Sequence, residues 1–222
     1  MSYLLSYSMF KEHAPPQEMD NLWAKGWRHF GQYFFCYNLA IHENKQVKVI
    51  PLRIKISDYV PSKRHRKITK KCQMAGMHVD YQPITINETK HQIFEFQKKR
   101  FKDNKPCIIY DFLHPDNPAQ NPCPAMECCV YNAQNQLIAV SFFDVGSTAL
   151  SSVYAMFLPE YEKFSLGIYT ILCEITFAQQ HQKSYLYLGY CYDVPSFYDY
   201  KKQFAGLEYY DWNDNWLPFT KQ

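Results

Sequence analysis

The chain has 222 residues, 47% of them hydrophobic and 20% charged, which is enough apolar material for one large domain or two small ones and excludes disorder or a collagen repeat. It carries 19 Tyr and 16 Phe against 7 Gly, and none of G-x-G-x-x-G, G-x-x-x-x-G-K, G-x-S-x-G or H-E-x-x-H occurs, so dinucleotide, P-loop, hydrolase-elbow and zincin readings fall away. The net charge of +3 is unevenly spread: residues 45–71 hold Lys45, Lys48, Arg53, Lys55, Lys63, Arg64, Arg66, Lys67, Lys70 and Lys71 against the single acid Asp58, a local +9 that leaves −6 for the remainder.

Apolar runs such as residues 137–143 fall far short of the ~20 residues of a membrane span. The N-terminus shows no basic n-region followed by a cleavable apolar segment, so the expectation is a cytoplasmic protein with no membrane partner. Eight scattered cysteines fit reduced thiols in that compartment. No C-x-x-C pair is present, and the cluster Cys123, Cys128, Cys129 lacks a second ligand pair, so no metal is expected.

In chain order, residues 61–71 predict a short helix. Ser62 is the natural N-cap, and basic residues cover nearly the whole surface, leaving Ile68 to dock on a core. A patch of one sign on an oppositely charged body concentrates a polyanion, of which a nucleic acid is the obvious case. Residues 77–86 alternate as a strand, and Asn87 or Thr89 can cap a helix to about Asp103, with Ile93, Phe94, Phe96 and Phe101 as its apolar contacts. After a Pro-rich loop at 115–124, strands at 126–131, 137–143 and 149–157 are separated by good hairpin punctuation and form a meander. Ser165 can cap a helix to about His181, followed by a strand at 184–188, a short helix near 196–204 and a last strand near 207–212. Strand, helix, strand at 149–188 is the right-handed crossover that makes two strands parallel.

This element order predicts an α+β fold of the N-acetyltransferase-like (GNAT-like) type: a mixed sheet flanked by helices, with residues 1–72 a reduced N-terminal region bearing the basic segment and 73–222 the transferase domain. In that fold the strands before and after the crossover helix splay apart, and acyl donor and acceptor amine meet in the opening.

The residues of these elements are themselves informative. Residues 149–154 (ALSSVY), 165–172 (SLGIYTIL), 185–190 (YLYLGY) and Tyr200-Lys201 with Phe204 resemble, in order and spacing, the C-terminal region of the aminoacyl-tRNA–protein transferases. Upstream, residues 26–31 (GWRHFG), 51–54 (PLRI) and 61–67 (PSKRHRK) resemble the family's Gly-aromatic-Arg, Pro-x-Arg and Pro-Ser-basic motifs. Arginyltransferases and bacterial leucyltransferases acting on N-terminal Asp or Glu belong to that family. Its members carry paired cysteines near the start and again after the Gly-aromatic-Arg segment. This chain has Tyr7-Ser8-Met9-Phe10 and a lone Cys36 there, so a four-ligand cluster is not expected. Cys191 and Ala205-Gly206 also depart from the family pattern.

The resemblance implies transfer of arginine or leucine from aminoacyl-tRNA to the α-amine of a protein with N-terminal Asp or Glu, marking it for degradation, with no cofactor. The ester is already activated, so a weak base and oxyanion donors suffice. Asp144, Tyr154 and Tyr187, on the strands at the splay, are the catalytic candidates, each with a plain reading as turn residue or core aromatic. Arg28, Lys201 and Arg53 are candidates for the acidic acceptor. Ser165 and Gly167, opening the crossover helix, are candidates for a phosphate of the tRNA acceptor end. Lys63, Arg64, Arg66, Lys67, Lys70 and Lys71 are those for tRNA. Exposed aromatics suit stacking of the unpaired 3′ bases. Glu174 lies in a helix apolar almost all round, where a carboxylate needs a partner or a raised pKa, and reads first as a structural acid. Two other readings stand beside this one: a non-catalytic tRNA- or peptide-binding module, and a coenzyme A-dependent N-acyltransferase, against which the few glycines and the +9 segment argue.

Overall fold

The computed structural model describes residues 4–100 and 105–220. The described elements are β1 (Ser6–Phe10), α1 (Pro16–Ala24), β2 (Arg28–Phe30), β3 (Tyr33–Tyr37), β4 (Leu39–His42), β5 (Lys45–Lys55), α2 (Lys63–Met74), β6 (His78–Pro83) and α3 (Glu88–Lys98). They continue with β7 (Ala125–Tyr131), β8 (Leu137–Val145), β9 (Ala149–Phe157), α4 (Leu166–Gln180), β10 (Tyr185–Tyr192), β11 (Leu207–Tyr210) and β12 (Trp216–Pro218). A small sheet has the order β1-β3-β2, and the large one β12-β11-β5-β10-β9-β8-β7-β6, with β4 hairpinned onto β5. Residues 1–72 and 73–222 share the large sheet, because β5 lies between β10 and β11. All pairs are antiparallel except β9 with β10, the parallel pair that the α4 crossover produces. This mixed sheet with its meander and crossover helix is the GNAT-like α+β architecture expected from the element order.

Alternation along the strands sets the layers. Leu150, Leu186 and Leu188 face α4 and α2 and meet Ile68, Cys72, Ile171 and Ile175, while Val140, Phe142 and Met156 face the other way onto Ile93 and Phe94 of α3. Beside α3, Met19 and Trp23 of α1 and Phe34 of β3 pack on Ala149 and Tyr187. Burying each such side chain contributes about 1.5–3 kcal/mol. α4 is apolar all round because the sheet covers one flank and α2 the other. Under α3 a buried ion pair ties helix to strand: Lys90 Nζ lies 2.5 and 2.6 Å from the two Glu127 oxygens and also donates to the Thr85 carbonyl.

Several predicted boundaries are corrected. Ser62 caps α2 by accepting from the His65 amide, but three residues dock on the core rather than Ile68 alone, because His65 and Cys72 share its face. Asn87 caps α3 through the Lys90 amide, and the helix ends at Lys98; Phe101 and Asp103 lie outside the described residues. Ser165 does not cap α4 with its side chain. The 3-10 turn Pro159–Phe164 runs straight into α4, so Ser165 takes the left-handed conformation (φ 56°) that joins them and contributes only its carbonyl, which accepts from Ile168 and Tyr169. The short helix near 196–204 is the 3-10 segment Phe197–Gln203, and the strand predicted to Trp212 stops at Tyr210, since Trp212 has φ 65°. All eight cysteines are free thiols, and every one but Cys107 is buried. No helix among the described residues is long and apolar enough to cross a membrane.

Candidate active site

The parallel pairing of β9 with β10 covers only Ala149–Tyr185, Leu150–Leu186 and Ser151–Tyr187, although both strands continue for several residues. Beyond Ser151 each stays with its outer neighbour alone, β9 with β8 and β10 with β5. A register shift sits at the parting point on both sides, between Ser152 and Tyr154 of β9 and between Tyr187 and Gly189 of β10. Bulges bend and twist a strand, and here they turn the two apart.

Arg28, the first residue of β2, occupies the opening. Its guanidinium donates to Ser151 Oγ and to the Ser152 carbonyl on β9, while its other flank lies against Gly189 of β10. Gly189 has φ +79°, and a Cβ there would come within 3.3 Å of Arg28 Nε, so this position needs glycine twice over. Burial pulls the Arg28 pKa down, and the charges of Asp144, Tyr190 and Glu174 oppose that fall.

On the α4 side of Arg28 stands Glu174, fully buried, accepting from Ser152 Oγ at 3.4 Å. Its other oxygen has no donor at hydrogen-bond geometry among the described residues. Burial pushes its pKa up to about 7, opposed by the Ser141 and Ser152 hydroxyls and by Arg28. Ser152 is half-buried and stands between Glu174 and the opening. Lys201 is also half-buried and donates to the Tyr190 carbonyl at 3.1 Å; burial and the Arg28 charge push its ammonium down to about 7.

On the other side is Asp144, buried and 2.9 Å from His29 Nε2. His29 Nδ1 lies 2.8 Å from the Gly31 carbonyl, which can only accept. The Cys123 thiol completes a group whose ligand atoms lie within 4.8 Å of one another.

The structure distributes the remaining sequence candidates as follows. Tyr154 stacks on Phe112 at 4.1 Å in the layer under α3. Tyr187 lies among Trp23 and Trp216 and accepts from Arg53 at 3.2 Å, so the two tyrosines occupy different packing clusters. Arg53 is buried, bonded to Glu208 at 2.7 Å and sandwiched between Tyr185 and Trp216, an occupied cation rather than one turned toward an acceptor. Ser165 and Gly167 are half-buried behind the 3-10 turn that precedes α4. Lys63, Arg64, Arg66, Lys67, Lys70 and Lys71 are all exposed on α2. Arg64 donates to Gln203, Arg66 to the Pro61 carbonyl and Lys71 to the Lys163 carbonyl. Sequence reasoning missed Ser151, Ser152, His29 and Gly189. The small residues left no signal of their own, because their role depends on two strands parting.

A GNAT-like sheet opened around a buried guanidinium and carboxylate belongs to the acyltransferase class of folds. Residues 73–211 match the model of the C terminus of the arginine-tRNA-protein transferases, and the chain belongs to that family. An aspartate/glutamate leucyltransferase of Xylella fastidiosa (strain M23) is 27% identical over 189 residues, covering 77% of this chain and 68% of that protein. One from Xanthomonas euvesicatoria pv. vesicatoria (strain 85-10) is 40% identical over 85 residues, 38% of this chain, which thus spans only 34% of that relative's length. Among solved structures, FemX aligns with a TM-score of 0.49 at 11% identity, covering 88% of this chain and 65% of that one. L-PGS from Bacillus licheniformis aligns with a TM-score of 0.49 at 12% identity, covering 86% and 55%. The fold assignment rests on strand order and connectivity rather than on these likenesses.

Proposed function

We propose that the protein transfers arginine or leucine from charged tRNA to the α-amine of proteins that begin with Asp or Glu, marking them for degradation. The observation that carries this reading is the Arg28 guanidinium in the opening between β9 and β10, beside the Ser152–Glu174 pair, in a chain of the arginine-tRNA-protein transferase family.

In this reaction the amine nitrogen attacks the ester carbonyl carbon, the bond from that carbon to the ribose oxygen breaks, the amine gives up one proton and the ribose oxygen takes one. An ester needs no further activation, and an α-amine with a pKa near 8 is partly neutral at pH 7, so positioning supplies much of the rate. Ser152 passes the amine proton to Glu174, whose pKa of about 7 suits a base at neutral pH. Val153, the residue left over at the β9 bulge, offers a backbone N–H to the oxyanion. Lys201 takes the acidic side chain of the acceptor with the Arg28 charge beside it, and Asp144 positions Arg28 through its charge. Tyr187 acts through Arg53, and Tyr154 through its packing on Phe112. The exposed cations of α2 attract the tRNA backbone.

The test incubates purified protein with radiolabelled Arg-tRNA or Leu-tRNA and a peptide starting with Asp or Glu. Label should pass from one donor to the peptide, and a peptide with an acetylated N-terminus should receive none. No transfer from either donor overturns the proposal.

A further inference from the structure

The small sheet has two unlike faces. Met9 and Phe34 point inward to the layer with Trp23, whereas cross-strand register puts aromatics on the outer face in rows: Phe10, Tyr33 and Phe30 in the first, Ser8, Phe35 and Arg28 in the second, Ser6 and Tyr37 in the third. Neighbours in register point to one face. Ring centroids run Phe10 to Tyr33 at 5.3 Å, Tyr33 to Phe35 at 6.0 Å and Phe35 to Tyr37 at 5.9 Å, and Tyr190 of β10 closes on Tyr37 at 5.2 Å. Exposure falls along the face, from 78% at Phe10 and 43% at Tyr33 through half-buried Phe35 and Tyr37 to 8% at Arg28. An aromatic path thus leads from solvent into the opening between β9 and β10.

We propose that this face is a stacking platform for the single-stranded 3′ end of a tRNA, delivering its last nucleotide to the Arg28 opening. The inference rests on the transferase reading above and extends it to a binding site. Two features favour a nucleic-acid strand over an apolar protein surface. Ser8 and Ser6 face Phe35 and Tyr37, so hydroxyls stand beside the rings, as suits a base or ribose and ill suits an apolar partner. Centroid spacings near 6 Å are less than the roughly 7 Å needed to slot a base between two rings, so bases lie on the rings from the solvent side, as on other aromatic sheet faces that bind single strands.

The test measures binding rather than transfer. A labelled RNA hairpin ending in single-stranded CCA is compared with the same hairpin cut blunt, by fluorescence anisotropy. Wild type should bind the overhang roughly tenfold more tightly than the blunt form. The Phe10→Ala/Tyr33→Ala double variant, changed only at exposed rings, should lose that preference while keeping blunt binding and its salt dependence. Tyr33→Trp should retain the preference, and Val60→Ala, an exposed apolar control away from the platform, should match wild type. An unchanged preference in the double variant overturns the proposal. So does a wild-type dimer in sedimentation that the double variant abolishes with no overhang preference, which would assign the face to a second copy. Label transfer without overhang preference defeats the platform alone, whereas overhang preference without transfer from either donor defeats the transferase reading and leaves the platform standing.

Discussion

Replacing Glu174 with Gln keeps the side chain's shape and removes its titration. Burial raises this carboxyl from an ordinary 4.5 to about 7, and each pKa unit is worth about 1.36 kcal/mol. Ionised Glu174 is therefore about 3 kcal/mol more costly in the native fold than in the unfolded chain. As pH rises, the unfolded chain releases this proton near 4.5 while the native protein holds it to about 7, so the native state binds more protons and stability falls through that window, then levels off. Glu174→Gln lacks this contribution. Urea unfolding of both proteins from about pH 4 to pH 8 should show wild type losing about 3 kcal/mol relative to the variant, most of it before pH 7. Parallel stability profiles would refute the burial argument. In the transfer assay, wild-type rate should climb with pH through about 7 as the base becomes available, and the variant should lose that limb, keeping only the rise near 8 that the acceptor amine sets, along with roughly a hundredfold in rate. A variant that keeps both would remove Glu174 from the mechanism.

Arg28→Ala leaves Asp144 and Glu174 buried without their shared cation, and thermal or urea unfolding should show a loss of about 3–5 kcal/mol. Arg28→Lys restores charge but not the fork that reaches both Ser151 and Ser152, so it should recover stability in part and transfer little. Lys90→Met should cost about 3–5 kcal/mol by stranding Glu127, and Lys90→Met with Glu127→Leu should regain most of it, as urea midpoints will report. Joint alanine substitution of the exposed Lys63, Lys67 and Lys70 should make the slope of log affinity for tRNA against log salt shallower by roughly one for each phosphate no longer neutralised, read by filter binding.

Much of the architecture was legible from local pattern. Ser62 and Asn87 cap the helices their positions announced, and the meander at 126–157 follows from alternation and two turn sequences. Ser165 shows where local chemistry misleads: its hydroxyl marks a helix start, but the turn packed ahead of α4 imposes a left-handed backbone on it. Arg53 shows the same limit for charge, since a basic residue in a basic segment proves to be enclosed by Glu208, Tyr185 and Trp216.

By itself the sequence determined the element order from residue 61 to about 210, the parallel crossover, the +9 segment with its capped basic helix and the motifs shared with the transferases, because each depends on residues close together along the chain; the strands and helix before residue 56, including β5 inside the large sheet, were not read from it. Only the tertiary structure decided what fills the opening. Arg28 and Glu174 are far apart in sequence, and a carboxyl acquires a pKa of about 7 only when the fold has taken away its water and left a guanidinium and two serine hydroxyls in exchange. It also decided which aromatics face solvent. Tyr33 and Phe34 are adjacent and similar in sequence, but the pleat sends one outward to the platform and the other into the core.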